Sequence, residues 1–136
     1  MFKLILPVIL LLSSLALRAQ DCSELRNDPD LRSELQDLAN TAAADLMGCC
    51  SKYGGKNLRA DIYWDKDETG ICQTRISKLT GKVTITMKVS WIGSGTGASY
   101  WIKGRLAFDP ENKTRTWTKL DDSGGFIPGC SKGCIK

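Results

Sequence analysis

Residues 82 to 91 read Lys82-Val83-Thr84-Ile85-Thr86-Met87-Lys88-Val89-Ser90-Trp91. Large apolar side chains alternate strictly with lysine, threonine and serine, which is the pattern of a β-strand with one buried and one solvated face. A shift of one residue in pairing would bury both lysines and expose all the large apolar side chains, so the pattern dictates which face turns to the core. The sequence therefore predicts a long strand here, and the other elements are placed around it.

An amphipathic helix is predicted upstream of this strand. Asp28 and Pro29 form a helix start, because an aspartate N-cap accepts hydrogen bonds from free backbone amides and proline suits the first helical position. Gly48 and the pair Cys49-Cys50 mark its end. Between these limits, apolar residues recur at spacings of three and four and so share one side of the helix: Leu31, Leu35, Leu38, Ala42 and Leu46.

Downstream of the helix the apolar period changes from about four residues to two. Alternating segments predict strands at residues 58–65, 71–79, 82–91, 99–108 and 114–120, separated by short polar or glycine-containing turns. This order predicts an α+β fold, with one N-terminal helix packed on a four- to five-stranded antiparallel meander and stabilised by disulfides. Cystatin-like folds have a similar layout, and that similarity is an analogy at the level of the fold alone.

The N-terminus has the composition of a secretory signal peptide. Lys3 is followed by an apolar run from Leu4 to Leu17, shorter than the roughly 20 residues of a membrane-spanning helix, and then by the small residue Ala19. We expect residues 1–19 to be removed and residues 20–136 to form a single exported domain, periplasmic or extracellular. An uncleaved membrane anchor is the alternative.

Six cysteines follow the predicted signal peptide, and an even number in a small exported chain indicates disulfide bonds: Cys22, Cys49, Cys50, Cys72, Cys130 and Cys134. A bridge between the adjacent Cys49 and Cys50 is strained, so these two are predicted to pair separately. One would tie the helix end to the sheet at Cys72, and the other would tie it to the tail at Cys130 or Cys134. Zinc is the alternative, but only Cys130 and Cys134 have the spacing of paired zinc ligands.

The absence of histidine from the sequence excludes Ser-His-Asp and Cys-His catalytic sets and histidine metal sites. Asp65 and Asp67 match the DxDxT pattern of aspartate-nucleophile phosphatases and, with Gly70, the start of a calcium-binding loop. Those phosphatases need a parallel sheet, and the calcium loop needs a glutamate where Ile76 stands. A hydrolase or calcium-dependent module using Asp65 and Asp67 is therefore an alternative to a polar hairpin turn.

The glycine-rich segment 93–97 resembles a phosphate-binding loop in composition. A helix must begin directly after such a loop, whereas the residues that follow here have the period of a strand. We expect neither a cofactor nor a bound metal, and we interpret the segment as an exposed loop able to carry contacts.

Charge is distributed unevenly along the chain. Residues 20–50 carry two basic and seven acidic side chains, for a net −5, whereas residues 51–136 carry fifteen basic and eight acidic ones, for a net +7. The sequence thus predicts an acidic helical side and a basic sheet side.

The solvated face of the predicted sheet is the main candidate binding surface. Together with the loop after the central strand it carries the candidate residues Lys82, Thr84, Thr86, Lys88, Ser94, Thr96, Trp101, Lys103 and Arg105, with Arg115 and Lys119 as further candidates. Basic side chains around an aromatic ring on a flat sheet suit an acidic protein surface or a polyanionic glycan. Nucleic acid is not expected in an exported location. A face that only keeps the sheet soluble is the alternative.

These observations predict a small exported, disulfide-stabilised binding protein, such as an inhibitor or immunity-type partner of another exported protein with an acidic surface. Two alternatives stay open. One is the hydrolase or calcium-dependent module, and the other is a structural component of the envelope or of the secreted fraction.

Overall fold

The computed structural model describes residues 22–50, 55–94 and 97–123, with the backbone alone at Cys49 and Cys50. The helices and strands are α1 (Ser23–Asn27), α2 (Pro29–Cys50), β1 (Gly55–Ile62), β2 (Arg75–Ile76), β3 (Val83–Gly93), β4 (Ser99–Asp109) and β5 (Thr114–Asp122). The strands form one antiparallel sheet with α2 packed on one face, which confirms the predicted α+β class. The predicted signal peptide lies outside the described residues. Within them, no helix is both long and apolar enough to cross a membrane.

Helix α2 begins where the sequence predicts. The Asp28 side chain caps it, since Oδ1 accepts hydrogen bonds from the backbone amides of Asp30 (3.1 Å) and Leu31 (3.2 Å). The helix buries Leu35, Ala39, Ala42, Ala43 and Leu46. Two of these alanines, at 39 and 43, were not part of the predicted stripe, and their small side chains let the helix lie close to the sheet. Helix α1 was not predicted.

Strand β3 is the centre of the sheet. It pairs with β1 and β2 on one side and with β4 on the other, and β5 completes the sheet beyond β4. The odd-numbered residues of β3 from Val83 to Trp91 are buried against α2, together with Ile102 and Leu106 of β4. Its even-numbered residues face the opposite side, so the predicted orientation of this strand is confirmed.

Strands β1 and β2 lie one after the other along the same edge of β3, and both run antiparallel to it. The segment between them, residues 63–74, leaves the edge and forms a small hairpin of its own, in which Gln73 N donates to Asp65 O and Asp67 N donates to Ile71 O. Because these residues bond to one another, the strand predicted at 71–79 is reduced to Arg75–Ile76.

The end of that predicted strand is a turn, in which Leu79 is 98% exposed. Strand β2 therefore continues the line of β1 and does not form a hairpin with it. The turn joins β2 to β3 through Ser77 N, which donates to Lys82 O (2.9 Å).

A disulfide joins Cys22, just before α1, to Cys72 in the 63–74 segment. The prediction that Cys72 pairs with the helix end is therefore wrong. The bridge spans 50 residues of sequence, and a closed loop of that length stabilises the fold by about 4 kcal/mol through restriction of the unfolded chain. The other predicted bridge, from the helix end to the tail at Cys130 or Cys134, involves cysteine side chains outside the described residues.

A close contact between β4 and β5 completes the core on the side away from β1. The Trp117 ring lies directly over Gly104, where a β-carbon would come within 2.5 Å of ring atom Cη2 and 2.7 Å of Thr118 O. Because normal carbon–carbon contacts are about 3.5–4.0 Å, the ring occupies the space that a side chain at position 104 would need.

Candidate functional site

The side of the sheet opposite α2, here called the open face, has no described helix packed on it. Residues that pair directly across antiparallel strands share a face, so the register arranges the side chains in rows. The three central rows are Arg59-Ser90-Trp101, Asp61-Lys88-Lys103-Asp121 and Tyr63-Thr86-Arg105-Thr118.

Two lysines at the centre of the open face lie over aromatic rings. Lys88 Nζ is 5.6 Å from the centroid of the Trp101 ring, and Lys103 Nζ is 4.6 Å from that of Tyr63. Both distances fall within the range of favourable cation–π contacts. The rings hold the two ammonium groups along the surface, which reduces the side-chain freedom that a binding partner would have to remove.

Three adjacent cations form what we call the cationic centre: Lys88, Lys103 and Arg105. The two lysines are directly opposite each other on β3 and β4, and Arg105 is two residues further along β4. None of the three makes an ion pair with another described residue. Like charges directly opposite one another destabilise a sheet. Asp61 and Asp121, at the two ends of the same row, offset that repulsion in part, and a bound anion would relieve the rest.

The neighbouring arginines are already engaged. Arg59 Nη2 forms an ion pair with Asp61 Oδ1 at 3.2 Å, and Arg75 Nη1 donates to Cys72 O at 3.0 Å. The Arg59–Asp61 pair is largely exposed, so its contribution to stability is small. These residues surround the cationic centre and leave its three charges available.

Charge separates the two sides of the described molecule. The rows from Thr84 to Ile92 place six basic and two acidic residues on the open face, for a net +4: Lys56, Arg59, Arg75, Lys88, Lys103, Arg105, Asp61 and Asp121. Residues 23–50 carry six acidic and two basic side chains, for a net −4. The field of the molecule therefore attracts anionic groups to the open face.

The predicted site residues divide into a central group and a remainder. Lys88, Trp101, Lys103 and Arg105 lie together at the middle of the open face, as predicted from their alternation. Thr86 is on the same face but is 1% exposed, because Tyr63 and the 63–74 segment lie beside it and its Oγ1 donates to Gln73 O at 2.8 Å. It supports the site and has no surface to offer a partner.

The other predicted residues lie towards the ends of β3. Thr84 is half-buried one row beyond Thr86, and Lys82 is exposed just before the strand. Ser94 is exposed beyond the opposite end, and Thr96 lies outside the described residues. The structure thus does not bring Lys82 and Ser94 together.

Two further candidates, Arg115 and Lys119, lie on the helix face and not on the open face. They pair with Phe108 and Gly104 of β4, whose positions face α2. Arg115 Nη2 forms an ion pair of 2.6 Å with Asp45 Oδ2 on α2, so it ties β5 to the helix.

Tyr63, Arg59 and Asp61 were not predicted as members of the site. Their alternation in the first predicted strand already placed them on one side of that strand. The missing information was the pairing of β1 with β3, which brings Tyr63 beside Thr86 and within reach of Lys103.

Asp67 of the hydrolase or calcium alternative caps a turn. Its Oδ1 accepts hydrogen bonds from Thr69 Oγ1 (2.5 Å), Thr69 N (2.8 Å) and Ile71 N (3.1 Å). The Thr69 hydroxyl, followed by the Ile71 amide, lowers the pKa of Asp67 below its ordinary value. Among the described residues, no group of three or more His, Cys, Asp or Glu side chains is placed to hold a metal ion.

Comparison with known proteins identifies no relative: no family model, no curated protein and no solved structure matches the chain.

Proposed function

We propose that this chain is a small exported binding protein that captures an acidic surface of another exported protein on its open face, in the manner of an inhibitor or immunity protein. The single observation that carries the proposal is the cationic centre, three adjacent cations that form no ion pair with the described residues and of which two lie over aromatic rings.

The composition of the open face favours a protein as the partner. Tryptophan, tyrosine and arginine are the residue types most enriched at the energetic centres of protein interfaces, and here Trp101, Tyr63 and Arg105 surround the two central lysines. Thr118 and Asp121 end two of the rows on β5, and the polar Ser90 lies one row beyond Lys88. An aromatic and basic centre with a polar rim is the usual arrangement of a protein-binding surface.

The disulfide supports the proposed location. Bridges such as Cys22–Cys72 persist in oxidising compartments, including the periplasm and the extracellular space, and are rare in the cytosol. Together with the signal-like N-terminal sequence, this bridge supports export as the setting in which the partner is met.

The test is affinity capture from the native exported fraction with three immobilised proteins. They are the wild type, the variant K88E/K103E/R105E of the cationic centre, and the control K66E/K78E/K113E. The control makes the same change in formal charge at three exposed residues outside the rows of the open face, one in the 63–74 hairpin and two in turns. We expect the wild type and the control to retain the same acidic protein, and the cationic-centre variant to lose it.

Two measurements guard the conclusion. Circular dichroism must show that all three proteins melt as folded domains, and the neutral variant K88Q/K103Q/R105Q must lose most of the capture as well. Equal capture by the wild type and both cationic-centre variants would refute the proposal. Retention of a sulfated glycan instead of a protein would refute the proposed partner class.

A further inference from the structure

The acidic surface of this same chain has the chemistry that the open face accepts. Asp30, Glu34, Asp37 and Thr41 recur on α2 at spacings of four, three and four residues, so they share one stripe along the helix. All four are exposed, and the stripe lies on the side of α2 away from the buried Leu35 and its neighbours. Three of these four residues are acidic and none is basic, so we call the set the acidic stripe.

The carboxylates of the acidic stripe are available. The side chains of Asp30, Glu34 and Asp37 form no ion pair with any described residue, whereas the nearby Asp45 is bound to Arg115. Neither surface therefore forms an ion pair with the described residues of its own molecule, although Arg115, bound to Asp45, lies beside Glu34 and Asp37.

The two surfaces match in spacing as well as in sign. Side chains three and four residues apart on a helix have β-carbons about 5–6 Å apart. Directly opposite residues on a sheet, such as Lys88 and Lys103, have β-carbons about 5 Å apart, and residues two apart on a strand, such as Lys103 and Arg105, are separated by about 7 Å. Long basic side chains can therefore reach successive carboxylates of one helix.

We infer that the open face of one molecule docks on the acidic stripe of α2 in a second copy. The stripe and the open face are on opposite sides of the molecule, so each docked copy presents a new open face to the next. This contact is head-to-tail, and repeated addition produces a stack of alternating sheets and helices. Since the stack and an acidic partner use the same cationic centre, stacking and partner capture compete.

Sedimentation velocity over about 10 μM to 1 mM protein tests the inference, because electrostatic contacts of this kind are weak. At about 20 mM salt, where charges interact over roughly 20 Å, we expect the wild type to form species larger than the monomer. At about 0.5 M salt the same samples should return to the monomer. Wild type that stays monomeric at low salt over the whole range would overturn the inference.

Two variants and one control identify the surfaces. D30N/E34Q/D37N neutralises the acidic stripe, and K88E/K103E/R105E reverses the cationic centre; each alone should weaken association at least about tenfold. D65N/E68Q/E111Q removes three exposed carboxylates elsewhere and should associate like the wild type. Association that survives in either surface variant would overturn the inference.

A mixture of a neutralised stripe and a neutralised centre gives the sharpest result. D30N/E34Q/D37N keeps a functional cationic centre, and K88Q/K103Q/R105Q keeps a functional acidic stripe. Mixed at low salt, they should form a 1:1 dimer that grows no further, because each contributes the one surface that the other lacks. Larger stacks, or no complex, would contradict the head-to-tail contact.

The result of the stacking test can be distinguished from the result of the capture test of the proposed function. D30N/E34Q/D37N leaves the open face intact, so it should capture the exported acidic partner as well as the wild type does, or better at protein concentrations where the wild type stacks. Loss of stacking without loss of capture would assign the acidic stripe to self-association alone.

Discussion

Replacing Gly104 by alanine adds a single methyl group at the closest packed point between β4 and β5. In the native fold this position lies under the indole ring of Trp117. The added β-carbon would lie 2.5 Å from Cη2 of that ring and 2.7 Å from the carbonyl oxygen of Thr118. Carbon atoms in contact normally stay about 3.5 Å apart or more, so the ring must move by about 1 Å or the strands must separate.

The size of the effect follows from these distances. Overpacking a well-packed core with one carbon usually costs about 1–3 kcal/mol. We expect the upper part of that range, about 2–3 kcal/mol, because one of the clashing atoms belongs to the backbone of a paired strand and cannot rotate away. For a domain of this size that loss corresponds to a fall in Tm of roughly 10 °C.

Urea denaturation followed by circular dichroism, with disulfides intact, measures this loss. Gly48→Ala is the matched control, since a β-carbon at Gly48 meets no heavy atom within 4 Å and the residue lies in α2. There the same substitution should stabilise the protein by about 0.5–1 kcal/mol through the helix preference of alanine. The same Gly→Ala substitution should thus lower the free energy of unfolding at position 104 and raise it at position 48.

A double-mutant cycle with Trp117→Leu isolates the clash. In the Trp117→Leu background the ring atoms are gone and the Thr118 carbonyl remains, so Gly104→Ala should cost at least about 1 kcal/mol less than in the wild type. A cost below about 0.5 kcal/mol in the wild type, or an equal cost in both backgrounds, would show that the ring does not fill this space.

Three further predictions concern the 63–74 segment and its contacts. The pKa of Asp67, measured by NMR titration, should lie below 3.8, chiefly because the Thr69 hydroxyl donates a hydrogen bond to its carboxylate, and Thr69→Val should raise this pKa. The stability that the Asp67 carboxylate contributes is therefore present above its pKa in the unfolded chain and is lost as the pH falls through its pKa in the folded protein. Peptide mapping without reduction should link Cys22 to Cys72, and C22S/C72S should lower the free energy of unfolding by about 4 kcal/mol, whereas a linkage of Cys72 to another cysteine would contradict the fold. Thr86→Val should cost about 1 kcal/mol in urea denaturation, since the buried hydroxyl donates to a carbonyl, and an unchanged stability would contradict that bond.

Periodicity predicted most of the fold because the decisive residues act locally. The alternation from Val83 to Trp91 determines the buried face of β3, and Asp28 caps α2 through amides two and three residues away. Such signals depend on spacing along a single segment. These patterns can therefore be recognised without knowing which other segments pack against them.

The features that were missed depend on contacts between distant segments. The sequence from 71 to 79 has strand-like residues, but the Cys22–Cys72 bridge and the hydrogen bond from Thr86 Oγ1 to Gln73 O hold its first half in a separate hairpin. No local pattern records those two interactions. Arg115 was placed on the wrong face for a similar reason, since the side on which it lies is set by its pairing with Phe108.

The candidate site was predicted in the part that belongs to β3 and β4 and missed where β1 contributes. Lys88, Lys103 and Arg105 follow from alternation within two neighbouring strands. The place of Tyr63 beneath Lys103 requires the register between β1 and β3, which includes an irregularity between Lys56 and Arg59 that no sequence pattern revealed.

The break between β1 and β2 has a consequence for how the protein can associate with others. An uninterrupted outer strand exposes a regular series of amides and carbonyls on which a foreign strand can align, the usual route to aggregation. Here the regular outer strand stops at Ile62 and resumes only at Arg75. At the opposite edge of the sheet, Leu120 is skipped in the pairing of β5 with β4. Lateral growth of the sheet would meet an irregularity on either border, so contacts between molecules are directed to side chains, where charge and shape can discriminate one neighbour from another.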